Sequence, residues 1–153
     1  PQEAAMAEHS AEIRWTAAAH PDQPDTFSRD HIVRLENGHE FQNSSAPAYL
    51  GNPAAANPET LLLASLASCH MLTFLAIVSK RGYSVADYSD RAVGILGKNA
   101  EGRMAITHCR LNPVVGFYGD MQPDAAELRK FHESAHRNCF IANTLNCVVE
   151  ITG

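Results

Sequence analysis

"NPETLLLASLASCHMLTFLAIVSKRG", residues 57–82, is the stretch that decides the fold. Asn57 is a favourable N-cap residue, and Pro58 suits the first position inside a helix. At the other end, Lys80 complements the negative end of the helix dipole, and Gly82 suits the left-handed position that follows many helices. These boundary signals predict one helix of about five or six turns.

The middle of this helix is apolar enough to raise the question of a membrane. Leu61–Val78 carries no formal charge, a length that would suffice for a membrane span. Four polar residues interrupt the run, however, and no aromatic belt brackets it: Ser65, Ser68, His70 and Thr73. The pattern therefore favours a helix buried on every side inside a protein, with no membrane partner.

Burying such a helix on every side is difficult for a short chain. The chain has 153 residues, and domains of this size leave much of their surface exposed. Two copies can solve the problem if their central helices pack together and both sets of strands cover them. The sequence thus predicts a homodimer.

The first half of the chain otherwise reads as strands and loops. Glu12–Ala18 alternates as a strand does, and His31–Glu36 and His39–Asn43 flank a turn at Asn37-Gly38. Residues 1–11 are interpreted as a frayed tail, and residues 12–153 as a single domain.

The second half predicts two longer strands, a helix and a last strand. "YSVADYSDRAVGILGKN" and "RMAITHCRLNPVVGFY" form a hairpin that turns around Asn99–Gly102. "PDAAELRKFHESAHRNC" has apolar residues at helical spacing, and "NCVVEIT" closes the chain as a strand. The order βββα then ββαβ predicts an α+β fold with largely antiparallel sheet.

Charge and composition limit the classes of function. The net charge is −5 and no run of Lys or Arg occurs, which argues against a nucleic-acid partner. The opening "PQEAAMAEHSAE" lacks the apolar segment and cationic flank of a signal peptide, so a cytoplasmic location is expected. The four cysteines, without CxxC spacing, are then predicted to be thiols rather than a disulfide framework: Cys69, Cys109, Cys139 and Cys147.

These cysteines allow more than one role. A cysteine in a buried helix, such as Cys69, is either a small packing residue or a reactive thiol. His70 points about 100° away from Cys69 around the helix, so it is a poor base for that thiol and is interpreted as a hydrogen-bonded interior histidine. Cys109 and Cys147 lie among apolar residues of predicted strands and are interpreted as packing residues.

A metal site is a further alternative. His136 and Cys139 are one helical turn apart and could bind one ion. Cys69 and His70 would complete a Cys2His2 set, although neighbours on a helix cannot easily chelate the same metal.

The helix motif resembles the OsmC/Ohr family of thiol-dependent organic hydroperoxide reductases. The family places N-P-E at the start of its central helix and a peroxidatic cysteine ten residues after the glutamate. In this sequence those residues are Asn57, Pro58, Glu59 and Cys69. The stretch "ASCHMLTFL", in which a histidine follows the cysteine, is similar to the corresponding stretch of an OsmC-like branch of the family.

Further residues extend the resemblance over most of the chain. The family's second cysteine lies near the end of its second long helix, which corresponds to Cys139 in "HRNCFIAN". The family's arginine precedes the second strand, which corresponds to Arg29 in "SRD", with Arg34 as the alternative. The resemblance implies an OsmC-like fold, in which antiparallel sheets wrap paired central helices in an intertwined homodimer.

The resemblance also implies a mechanism without metal or organic cofactor. Arg29 would stabilise the thiolate of Cys69, and Glu59 would hold Arg29 by a bidentate salt bridge. Cys69 would reduce a hydroperoxide and become a sulfenic acid, which Cys139 would convert into a disulfide. A lipoyl-type or other small dithiol would then reduce that disulfide.

Helix geometry places these groups in two subunits. Ten helical residues put Glu59 about 15 Å along the axis from Cys69. We therefore expect Glu59 and Arg29 to serve Cys69 of the partner subunit. Apolar walls would favour alkyl or fatty-acid hydroperoxides over hydrogen peroxide, and the residues expected to form them are Leu66, Met71, Leu72 and Phe74.

The function predicted from the sequence is thus an antioxidant cysteine peroxidase. The alternatives are an OsmC-like, stress-associated dimer that binds small ligands without catalysis, and a protein that binds metal through cysteine and histidine.

Overall fold

A computed structural model describes residues 6–152. Eight strands and three α-helices follow one another with a short 3-10 helix at Pro47–Tyr49. In chain order they are β1 (Ala11–Arg14), β2 (His31–Leu35), β3 (Glu40–Asn43), α1 (Pro58–Lys80), β4 (Val85–Asp90), β5 (Val93–Lys98), β6 (Met104–Leu111), β7 (Pro113–Phe117), α2 (Ala125–Asn138), α3 (Phe140–Thr144) and β8 (Val148–Ile151). The chain divides into two compact units with the boundary between Thr60 and Leu61.

The N-terminal unit is built on one antiparallel sheet. Its strand order is β1-β2-β3, and Val33 of the central strand pairs with Ile13 on one side and Phe41 on the other. The predicted hairpin around Asn37-Gly38 is confirmed. β1 is shorter than predicted and begins at Ala11, the last position of the expected tail, whose residues 1–5 lie outside the described residues.

The C-terminal unit contains two sheets where the sequence predicted one long hairpin. β4 pairs with β7, whereas β5 pairs with β6, and β8 joins β6 in parallel. The backbone N–H of Asn112 donates to Asp90 Oδ1 at 2.7 Å, and its side-chain amide donates to the carbonyl oxygen of Arg91 at 2.9 Å. These bonds stabilise the corner at which both predicted strands break, so the expectation of two continuous strands is wrong.

The ends of α1 are confirmed. Asn57 Oδ1 accepts a hydrogen bond from the Thr60 N–H at 3.0 Å, as an N-cap does. Gly82 has φ of +86°, and the N–H of Tyr83 donates to the carbonyl of Val78 at 3.1 Å. This pairing is the Schellman motif, in which a left-handed glycine ends the helix.

The burial of α1 differs from the prediction. One stripe at four-residue spacing is buried: Leu66, His70, Phe74 and Val78. The opposite side is open in the single chain, where Leu72 is 60% exposed. The expectation of burial on every side is therefore not met by one copy of the chain, because among the described residues only this stripe of α1 is fully buried.

α1 also has the length and composition of a membrane span. It has 23 residues, and its most apolar window has a mean hydropathy of 2.1. The core helix of a soluble protein has the same properties. The buried stripe of α1 packs against apolar residues of β6 and α2 and against Cys139, which follows α2.

α2 is confirmed, and a third helix follows it that was not predicted. Asp124 caps α2 by accepting a hydrogen bond from the Glu127 N–H at 2.8 Å. Cys139 stands between the two helices, where its Sγ accepts from the Ala142 N–H at 3.4 Å and so caps α3. The chain direction therefore changes at Cys139.

Candidate functional site

The two cysteines singled out by sequence lie together. Cys69 is in the middle of α1 and is half-buried, and Cys139 is fully buried at the junction of α2 and α3. Cys69 packs against the core cluster that contains Cys139, and each of the two thiols shifts the pKa of the other. The packing of α1 against the end of α2 thus brings two thiols that are 70 positions apart in the sequence into contact.

The surroundings of Cys69 favour its thiolate. Burial by itself raises the pKa of the Cys69 thiol, but several hydrogen bonds to its sulfur outweigh that effect and leave the pKa below its ordinary value. The groups that lower the pKa are, in decreasing order, the backbone N–H of Ile141, the thiol of Cys139, the backbone N–H of Phe140 and the side chain of Thr73, whose hydroxyl also donates to the backbone carbonyl of Cys69 at 2.8 Å. A thiolate is the nucleophilic form of cysteine, so this site increases the reactivity of Cys69.

Cys139 is shifted the other way. Burial raises the pKa of the Cys139 thiol, and the neighbouring Cys69 raises it further. The two thiols therefore differ chemically, because the pKa of Cys69 is lowered and that of Cys139 is raised, which makes Cys69 the stronger acid. This asymmetry is what a nucleophile and its resolving partner require.

Sequence reasoning missed the contribution of α3. The first turn of this helix supplies two of the backbone donors to Cys69, from Phe140 and Ile141. Cysteine is a rare N-cap residue, so the usual signal for a helix start was missing at Cys139. The group that most lowers the pKa of Cys69 in the single chain is thus a backbone amide and not the predicted arginine.

His70 has the role that its helix position indicated. It is 1% exposed, and its Nε2 lies 3.0 Å from Nδ1 of His132 on α2. The two rings are stacked at a centroid distance of 5.3 Å, and His132 stacks on Phe74 at 4.3 Å. His132, which the sequence analysis did not single out, belongs to the same core between α1 and α2.

The pair of buried histidines makes stability depend on pH. Burial, followed by the neighbouring His132 and His136, lowers the pKa of His70 to about 4, and burial lowers that of His132 to about 4. In the unfolded chain both groups titrate near pH 6.5. Between these values the unfolded state binds protons that the folded state does not, so acid destabilises the fold.

We expect the free energy of unfolding to fall as pH is lowered from about 6.5 to about 4. The slope is up to about 1.4 kcal/mol per pH unit for each of the two histidines. Urea unfolding at a series of pH values measures it. His132→Gln should flatten the curve, whereas the exposed His39→Gln should leave its slope unchanged. An equal slope in the wild type and His132→Gln would contradict the prediction.

The candidate arginine lies in the N-terminal unit, in an apolar cleft. The cleft has a volume of about 520 Å³. Its aromatic lining includes Trp15 and Phe27, and the guanidinium of Arg29 lies 3.7 Å from the centre of the Phe27 ring. The same guanidinium donates to Thr26 Oγ1 at 3.2 Å and to the carbonyl oxygen of Phe27. The alternative arginine, Arg34, lies in β2.

Glu59 does not meet its predicted partner in the single chain. Within residues 6–152, no ion pair joins Glu59 to Arg29, whose guanidinium is engaged by Thr26 and Phe27. The Oε2 atom of Glu59 is buried and has no hydrogen-bond partner among the described residues. The predicted salt bridge is therefore absent from one copy of the chain.

Two further expectations from the sequence concern a metal site and the apolar walls around Cys69. No group of three or more His, Cys, Asp or Glu side chains that could hold a metal ion occurs in the part of the chain that the structure describes. Of the residues expected to form apolar walls, Leu66 and Phe74 are buried in the core of the single chain, whereas Leu72 is exposed.

Comparison with known proteins decides the family. The sequence model of the family described as OsmC-like protein matches residues 51–152, which include both site cysteines. The chain belongs to the OsmC-like family. The resemblance and the α+β, OsmC-like fold predicted from the sequence are thereby confirmed.

Several relatives show how far the similarity of this OsmC-like protein extends. An OsmC-like protein of unknown function from Vibrio cholerae is 39% identical, with a TM-score of 0.89 over 96% of this chain and 99% of that one. An organic hydroperoxide resistance protein from Legionella pneumophila has the same fold, with 17% identity and a TM-score of 0.72 over 97% and 96% of the two chains. The uncharacterized protein YmaD of Bacillus subtilis is 26% identical over 81% of this chain and 83% of its own.

Proposed function

We propose that this OsmC-like protein is a cytoplasmic, thiol-dependent peroxidase that reduces organic hydroperoxides to alcohols. The observation that carries the proposal is the contact between an acidic thiol, Cys69, and a protonated thiol, Cys139. A protein of the same fold from Legionella pneumophila is named for resistance to organic hydroperoxides, which supports the substrate class.

The first step uses the thiolate of Cys69. Its sulfur attacks one oxygen of the hydroperoxide, the O–O bond breaks, and the alkoxide leaves as an alcohol after taking one proton. Cys69 becomes a sulfenic acid. The backbone amides of Phe140 and Ile141, which lower the pKa of Cys69, would help to hold this product.

The second step uses Cys139. Its sulfur attacks the sulfenic sulfur of Cys69, and water leaves with the proton from the Cys139 thiol. The protein has then lost the two electrons that reduced the peroxide, and a small dithiol of the lipoyl type supplies them again by exchange, itself becoming a disulfide. Cys139 is already in contact with Cys69, so the step needs no large movement.

We infer that the active form is a homodimer with composite sites. The open face of α1 around Leu72 would be the contact between subunits. Arg29, in its apolar cleft, would face Cys69 of the other copy and stabilise the charge that develops on the peroxide oxygen. The partnerless Oε2 of Glu59 would then pair with a cation at the interface. A monomeric form with full activity would contradict the composite site.

The cleft around Arg29 also supports a second candidate function. An apolar cavity of about 520 Å³ that contains one cation suits a small ligand with an anionic group. A binding protein of this kind would use the cleft and leave the cysteines unchanged during its function.

Disulfide mapping after a single exposure to peroxide tests the proposal. The fully reduced protein is mixed with one equivalent of cumene hydroperoxide, or of hydrogen peroxide in parallel, then quenched with an alkylating agent and digested. We expect a Cys69–Cys139 disulfide within seconds, formed faster with the organic peroxide. Unmodified Cys69, or slow oxidation spread over all four cysteines, would favour the binding protein instead.

A further inference from the structure

A second pair of cysteines lies in the C-terminal unit. Cys109 is in β6, and Cys147 immediately precedes β8, which pairs in parallel with β6 through His108–Val148 and Cys109–Val149. This register brings the two sulfurs to 3.7 Å from each other. A disulfide bond is about 2.05 Å long, so closing it requires the sulfurs to approach by less than 2 Å in total.

The two members of this pair differ in access. Cys109 is fully buried, and burial together with Cys147 raises the pKa of its thiol to about 11. Cys147 is half-buried and lines a cavity of about 480 Å³. A small molecule in that cavity reaches Cys147, whereas Cys109 is fully buried and does not line the cavity.

The lining of the cavity indicates what it accepts. Most of its walls are aliphatic, and they include Leu62, Ile106, Leu145 and Val148. Lys98 adds one positive charge. An apolar cavity with one cation and a reachable thiol suits a small organic disulfide, which has a soft, apolar reacting centre.

We propose that Cys109 and Cys147 form a second thiol–disulfide exchange site, which takes small organic disulfides from this cavity. Cys147 is the attacking thiol, and Cys109 is the resolving one. The inference rests on a different pair of cysteines from the proposed peroxidase and does not depend on that activity.

The reaction balances as two exchanges. The Cys147 thiolate attacks one sulfur of the small disulfide, whose S–S bond breaks, and the first small thiol leaves and takes a proton. Cys109 then gives up its proton and attacks the Cys147 sulfur, which breaks the mixed disulfide and releases the second small thiol. The protein loses two electrons and two protons, and the small disulfide gains both.

The experiment uses the full chain with Cys69→Ser and Cys139→Ser, so that the peroxidase pair cannot contribute. This protein is equilibrated with reduced and oxidised glutathione at a series of ratios, quenched with acid, alkylated and mapped by peptide mass spectrometry. We expect a Cys109–Cys147 disulfide that forms and is reduced again as the ratio is reversed. We also expect no glutathione to remain attached to Cys147.

A variant of the resolving cysteine provides the decisive comparison. With Cys109→Ala added, the first exchange still occurs and the second does not, so one glutathione should accumulate on Cys147. Cys109→Ser serves if the alanine variant does not fold, as judged by circular dichroism. Free thiols at the most oxidising ratio, or equal attachment of glutathione at Cys147 with and without Cys109, would overturn the proposal.

Discussion

Replacing Cys69 by serine is expected to lower the turnover of cumene hydroperoxide by about 10³-fold or more. A serine hydroxyl has the same place and nearly the same size, but it is not ionised near neutral pH and is a far weaker nucleophile. The amides of Phe140 and Ile141, which lower the pKa of Cys69, would still face position 69. The loss would therefore report the missing sulfur and not a lost fold.

Cys139→Ser separates the two chemical steps. This variant should still reduce about one equivalent of peroxide, because Cys69 remains, and then stop as a sulfenic acid that dimedone traps. Turnover is measured by peroxide consumption with a dithiol as reductant. Ser79→Ala, an exposed change on the same helix, is the matched control and should keep full turnover.

Activity of Cys69→Ser close to that of the wild type would contradict the role assigned to this cysteine. Full multiple turnover by Cys139→Ser would show that an external thiol, and not Cys139, resolves the sulfenic acid. In that case the contact between the two thiols would have no part in the cycle.

Phe74→Ala is expected to lower the free energy of unfolding by about 3–5 kcal/mol. Phe74 is fully buried, and its ring packs between His132, at a centroid distance of 4.3 Å, and Tyr88, at 5.7 Å. Its removal leaves a cavity between α1 and α2 and withdraws the apolar wall from the buried histidines. A small domain has only about 5–15 kcal/mol of stability, so a large share of it would be lost.

Phe140→Ala is the matched control, since the same ring is removed from a position that is 82% exposed. We expect a change below about 1 kcal/mol there. Urea unfolding at one fixed protein concentration measures both variants, because association of subunits would otherwise change the apparent stability. Equal losses in the two variants would contradict the assignment of Phe74 to the core.

Local signals made α1 predictable. Its capping residues act on their immediate neighbours, as the Asn57–Thr60 and Tyr83–Val78 hydrogen bonds show. α2 followed from the helical spacing of its apolar residues, and its cap at Asp124 was seen only in the structure. α3 did not, because its cap is a cysteine whose weak acceptor sulfur is rarely used in this way.

The strands of the C-terminal unit were harder to predict. Their alternating pattern predicted two long strands, but the break depends on Asn112 reaching Asp90 and Arg91, which are more than 20 positions away. The structure also pairs β4 with β7 in one sheet and β8 with β6 in another, and the sequence pattern does not specify which strands share a sheet. Pattern alone cannot make that choice, because both pairings bury the same alternating residues.

The sequence by itself determined the central helix, its ends, and the presence of a cysteine and a histidine near its middle. The spacing from Asn57 to Cys69 carried the resemblance to the family, since that spacing is a property of the chain order alone. The tertiary structure decided which thiols meet. Cys69 lies beside Cys139, and Cys109 beside Cys147, because helix packing and strand register bring distant positions together. It also decided that backbone amides of α3 lower the pKa of Cys69, since hydrogen bonds to a sulfur depend on distance in space and not on separation along the chain.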